Sequence, residues 1–155
     1  MRANTWKGKG QNMTSKPAVT HSLGRFDVRP RTLMAWRQLS ATMLLIMGGI
    51  HLYLVIDGVG GQLGVLFLLN TLGALLLAIA VIAFSGRLLS LATVLSLLFM
   101  VGTLLALVLA LTVGLFGIHE VISFKLVTTT LVVESIGTII LAVTVSMVFR
   151  SHQAP

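Results

Sequence analysis

After Pro30 the chain enters four apolar runs, Leu33 to Ile56, Leu63 to Phe84, Leu88 to Phe116 and Phe124 to Phe149. At about 1.5 Å per residue each is long enough to cross a hydrocarbon core about 30 Å thick. In lipid every backbone polar group must find its partner inside the protein, so runs of this length predict helices. The breaks between them are Asp57-Gly58-Val59-Gly60-Gly61, Ser85-Gly86-Arg87 and Gly117-Ile118-His119-Glu120, which carry the glycines and charges of turns. Connections this short force neighbours to run antiparallel. The expected fold class is therefore all-α, an integral membrane four-helix bundle of up-down-up-down topology.

Composition agrees. Of 155 residues, 56% are hydrophobic and 10% charged, whereas a soluble domain carries charge on about 25% of its residues. Too little polar material is present to cover a water-facing surface, and the lipid bilayer becomes the first expected partner. The absence of cysteine excludes a disulfide framework, thiol–disulfide exchange, iron–sulfur ligation and a cysteine nucleophile.

Three regions follow: residues 1–32 as a disordered basic tail, 33–150 as the transmembrane domain and 151–155 as a short C-terminus. The tail holds Arg2, Lys7, Lys9, Lys16, Arg25, Arg29 and Arg31 against Asp27 alone. It contains no apolar run of the kind a signal peptide needs, so no processing is expected. With Arg37, Arg87 and Arg150 these cations fall on one side of the bundle, and Lys125 falls on the other. The positive-inside rule then puts both termini in the cytoplasm. The net charge of +7 reads as a topology signal first and an attraction to anionic headgroups second. Nucleic acid is not an expected partner, because the tail lacks interleaved aromatics other than Trp6 and any recognisable module.

Helices in lipid associate through small residues and interhelical hydrogen bonds. Candidate packing stripes are Ala41, Leu44, Gly48 and His51 in the first run and Asn70, Ala74 and Ala78 in the second. The third offers Gly102, Ala106, Ala110 and Gly114, and the fourth Thr130, Glu134, Thr138, Ala142 and Ser146. The intramembrane polar residues fall on these stripes. His51 lies 14 residues beyond Arg37, roughly 21 Å up, and Asn70 roughly 10 Å down from the opposite boundary. Glu134 lies 16 residues before Arg150, roughly 24 Å from the inner face. The three are expected to meet in one outer layer, beneath a wetter rim of Tyr53, Asp57, His119, Glu120 and Lys125.

An ionised carboxylate in hydrocarbon is costly, so Glu134 is expected to be neutral, paired or facing water. Two readings of the cluster stand side by side. In one, Glu134 bonds His51 or Asn70 and fixes helix register; in the other, the three mark a proton, metal-ion or ligand site. His51 and His119 each follow a Gly-Ile dipeptide, a hint of tandem duplication. Paired axial histidines for a haem, or His51, His119 and Glu134 around a divalent metal, are permitted by ligand chemistry. Depth opposes both, since His119 belongs at the interface and His51 deeper, and no cofactor is expected. The methionines are not spaced as a copper-binding run and read as filler. The glycines from 58 to 64 follow no strand, so they form no phosphate cradle. No nucleophile elbow, zinc-protease helix or Walker motif occurs, and no enzyme activity is expected.

The segments Gly49-Ile-His-Leu-Tyr-Leu-Val-Ile-Asp-Gly58, Leu66-Phe-Leu-Leu-Asn70, Thr112-Val-Gly-Leu-Phe-Gly-Ile-His-Glu120 and Val132-Val-Glu134 together resemble a group of small four-pass membrane proteins of actinobacteria. The resemblance covers roughly Gly49 to Glu134, and the loop at Val59 to Gln62 is shorter here. It implies a bacterial inner-membrane location and a common use for the outer-side residues, with no activity attached. The leading expectation is a non-enzymatic multi-pass protein acting through helix contacts, as a homo-oligomer or as an accessory or assembly subunit of a larger complex. The competing one is a small carrier or conduit.

Overall fold

The computed structural model describes residues 30–113 and 126–152. Four helices account for nearly all of them: α1 Pro30–Ile56, α2 Gly61–Ala83, α3 Gly86–Thr112 and α4 Val127–His152. All four are long and apolar enough to cross a membrane, and the chain is an all-α four-helix bundle. Proline opens α1 three residues before the first apolar run, a position where its missing N–H has no intrahelical partner to lose. The expected end of the third span at Phe116 and start of the fourth at Phe124 lie outside the described residues.

The turns reverse the chain through glycines. Gly58 (φ 104°) sits between α1 and α2, and Gly86 (φ 57°) opens α3 after Ser85, both in left-handed backbone that a side chain disfavours. Each helix packs on its chain neighbour, and α4 closes the ring against α1. The contacts run antiparallel. Thr71 Oγ1 donates to Gly48 O (3.1 Å) and Ser40 meets Thr144 (2.8 Å), while Gly137 lies against both Met100 and Met43.

Burial in α4 falls on Val127, Thr130, Glu134, Gly137, Leu141, Thr144 and Val148, alternating steps of three and four. In α1 it falls on Ser40, Leu44, Met47, His51 and Leu54, and in α2 on Ala74, Ala78 and Val81. A repeat averaging 3.5 residues keeps one seam facing the partner helices, as in left-handed bundles. This seam corrects two of the stripes expected from small residues. Steps of four overshoot a full turn by about 40°, so a long i, i+4 series winds off the interface. In α4, Ala142 and Ser146 end up exposed; in α3 Gly102 is exposed, Ala106 half-buried and Ala110 buried, and the rest of the buried face is Leu89, Ala92, Thr93, Ser96 and Met100. The α1 stripe holds throughout; in α2, Ala74 and Ala78 are buried and Asn70 is half-buried.

The far end of the α1–α2 pair is closed by Arg37. Its Nε donates to Val81 O (3.0 Å), and Nη2 donates to Ile82 O and Phe84 O (both 2.8 Å). The last carbonyls of a helix lack intrahelical donors, and a cation there also meets the negative end of the macrodipole. One side chain thus caps a neighbouring helix.

The seam assignment separates two glycines. A Cβ on Gly48 would stand 3.0 Å from Ala74 Cβ, whereas one on Gly102 meets nothing within 4 Å. Gly48→Val is expected to cost about 1–3 kcal/mol through overpacking, and Gly102→Val to leave stability within about 0.5 kcal/mol. Thermal unfolding of both variants in detergent measures this.

Candidate functional site

Within the bundle the polar side chains sort into two levels. Near the Arg37 end, Ser40, Thr93, Ser96 and Thr144 are fully buried. Thr144 gives its proton to Ile140 O (2.9 Å), so Ser40 is the donor in the 2.8 Å bond between the two hydroxyls. Next comes an apolar stretch of Leu44, Met47, Ala74, Ala78, Met100 and Leu141, which form the central cluster. Gly137 makes room in it, since a Cβ there would lie 2.9 Å from Met100 Cε. Beyond that stretch, towards the turn between α1 and α2, stand His51, Thr103, Thr130 and Glu134.

Glu134 is 1% exposed, so α4 turns it into the bundle and away from the lipid-facing surface. Thr103 of α3 hydrogen-bonds to the carboxyl, and Oε2 is buried with no hydrogen-bond partner among the described residues. A buried polar atom left unmatched costs about 1–3 kcal/mol. Such atoms are rare in folded chains, and each asks for an explanation.

His51 is also buried, and its bonds go elsewhere. Nδ1–H donates to Met47 O at 2.9 Å, because a carbonyl only accepts. That fixes the tautomer and leaves Nε2 with a lone pair. The ring packs edge-on to Phe67 with centroids 5.0 Å apart. From the pairing of Ser40 with Thr144 and of Gly137 with Met43, His51 and Glu134 stand within roughly 2–8 Å of one another along the bundle axis. Asn70 is at a similar depth, because its neighbour Thr71 bonds Gly48. It sits on the flank of α2, half-buried. The three expected residues therefore share a level, but no hydrogen bond among the described residues joins Glu134 to His51 or Asn70.

Tyr53 and Asp57 are exposed at the end of α1, and each is engaged in an interaction. His119, Glu120 and Lys125, and with them the paired-histidine and three-ligand metal arrangements, fall outside the described residues. Among the described residues no group of three His, Asp or Glu side chains is placed to hold a metal ion. Thr103 was missed by sequence reasoning. Its signal was available in the seam: Ser96, Met100 and Thr103 follow the four-then-three spacing that Gly102 breaks. No protein-family model matches the chain, and no curated protein and no solved structure matches it either.

If Glu134 served to hold the helices together, truncating it would loosen the bundle. Its unmatched oxygen implies the opposite. Glu134→Leu removes the buried acceptor and leaves Thr103 bonded to Met100 O (2.9 Å), so the variant is expected to unfold at or above the wild-type temperature, by about 1 kcal/mol. Calorimetry or fluorescence unfolding in one detergent reads the difference, and a clear loss of stability would restore the packing role.

Proposed function

We propose that this protein is a non-enzymatic multi-pass membrane protein that acts through contacts of its helices in the bilayer, with copies of itself or as an accessory or assembly subunit of a larger complex. The observation that carries this reading is the outward position of small residues that a lone bundle does not use. Gly49 of α1 and Gly102 of α3 are exposed with nothing within 4 Å of an added Cβ. On α3 that notch sits among Leu95, Leu98, Leu105 and Leu109, all exposed. Small residues in lipid let another backbone approach closely, which is the main means of helix association there. The location belongs to the same proposal: a bacterial inner membrane with both termini cytoplasmic, as the distribution of Arg and Lys supports.

The chain contains no cysteine, so single cysteines report contacts cleanly. Gly102→Cys and Leu105→Cys in native membranes are expected to crosslink to a second polypeptide, either this chain or another, while Met100→Cys, on the inner side, does not. Absence of any crosslink from outward positions on both α1 and α3 would contradict the reading.

A second reading is favoured by the unmatched Glu134 oxygen. Intramembrane ionisable groups mark ion and proton pathways by default, and here the carboxyl lies beside a methionine-rich closure that a soft, unbranched side chain can open. On this reading the protein is a small carrier or conduit. Reconstituted vesicles given a pH step are expected to equilibrate several-fold faster with the wild-type chain than with Glu134→Gln; equal rates would remove transport from the account.

A further inference from the structure

A threonine hydroxyl has one proton, and a neutral imidazole has one N–H. At this level each of them is already committed to a backbone carbonyl. Thr103 donates to Met100 O (2.9 Å), Thr130 to Leu126 O (2.9 Å) and Thr71 to Phe67 O (2.9 Å) and Gly48 O (3.1 Å). His51 Nδ1–H donates to Met47 O (2.9 Å), and Thr138 donates to the backbone oxygen of Glu134 itself (2.7 Å).

What remains on offer from these groups is lone pairs only: the Thr103 and Thr130 oxygens, His51 Nε2 and the carboxyl oxygens. The single amide donor at this depth, Asn70, sits on the flank of α2 and makes no hydrogen bond to Glu134. The other titratable side chains at this end of α1, Tyr53 and Asp57, are exposed, and each is engaged in an interaction.

Among the described residues none of these groups keeps a proton for Oε2 of the carboxyl. Thr103 has a single proton for both Met100 O and the carboxyl, and Oε2 is left with no donor among the described residues. We propose that Glu134, with the Thr103 hydroxyl beside it, forms a site for one small exchangeable cation, a proton in its simplest occupancy and an alkali cation in competition with it. The inference deepens the second reading above and rests on the same carboxyl, but it needs binding alone and not transport.

The donor set suits that chemistry. Hydroxyl and carboxyl oxygens are ligands for hard cations, and a compact oxygen site excludes anions and neutral donors-with-bulk alike. The apolar closure of Leu44, Met47, Met100 and Leu141, all fully buried, separates the site from the second polar level at Ser40 and Thr144. Exchange is therefore expected through the nearer end. Glu134 lies seven residues from the start of α4 at Val127, roughly 10 Å along the helix, and about 27 Å from its other end.

Infrared difference spectroscopy on the full-length protein in lipid tests this directly, since a protonated carboxyl has its own carbonyl stretch. With only four Asp and Glu residues in the chain, Glu134→Gln isolates one band. The wild type is expected to show a carboxylic-acid band, absent from Glu134→Gln, that disappears reversibly on moving from mildly acidic to alkaline buffer. Sodium and potassium are then compared at fixed pH against N-methylglucamine at equal ionic strength. Loss of the band with an alkali cation assigns it as a competing occupant; a band sensitive to pH alone assigns the site to the proton. Thr103→Val, which keeps the shape and removes the acceptor, is expected to shift the band to higher frequency. A wild-type spectrum that differs from Glu134→Gln in no pH- or cation-dependent band would overturn the proposal. A titrating band in a protein whose vesicles show no flux would retain the site and dismiss only the carrier.

Discussion

Inside this bundle no bulk water is at hand to take up a polar group, and that constraint organises nearly every polar side chain in it. Hydroxyls answer it locally. Thr93, Ser96, Thr103, Thr130, Thr138 and Thr144 each donate to a carbonyl three or four residues earlier in their own helix, which hides the polar hydrogen at little cost to the helix. Arg37 answers it across helices by donating to the free carbonyls at the end of α2. Glu134 is the exception, and its second oxygen stays unmatched.

The exception gains meaning from its position. Two polar levels are held apart by Leu44, Met47, Met100 and Leu141, so the bundle interior alternates polar, apolar and polar along its axis. A partly satisfied buried polar network is worse than an apolar core, and the unmatched Glu134 oxygen is the physical argument for the proposed role in binding. The outward glycines make a separate argument for association, and the two are compatible: many small membrane proteins would need neighbours to enclose a site and a bundle to carry it.

Fold and depth were legible in the sequence because both follow from one-dimensional quantities. Apolar run length sets the spans, glycine and charge set the turns, and a rise of about 1.5 Å per residue sets the level of His51, Asn70 and Glu134. Azimuth was less legible. The stripe of α1 was right because Ala41, Leu44, Gly48 and His51 already alternate in threes and fours. Those of α3 and α4 were built on steps of four and cross the seam at one end only: the α3 stripe starts exposed at Gly102 and is buried at Ala110, and the α4 stripe leaves the interior at Ala142 and Ser146. Partner choice was least legible of all. His51 was expected to reach for Glu134, but the Met47 carbonyl one turn back on its own helix is always within range, and a local acceptor needs no agreement between helices. Thr103 was overlooked for a related reason, because threonine in a span reads as a neutral filler until its register is known.

α4 turns Glu134 inward on a seam with Thr130, Gly137, Leu141 and Thr144, while Val132, Ile136 and Ile139 face outward. A single-cysteine scan of α4 with a lipid-soluble maleimide, in native membranes, measures that azimuth residue by residue. Slow labelling is expected at 130, 134, 137, 141 and 144 and fast labelling at 132, 136 and 139. Fast labelling at 134, or a reactive stripe repeating every four residues through 134, 138, 142 and 146, would contradict it.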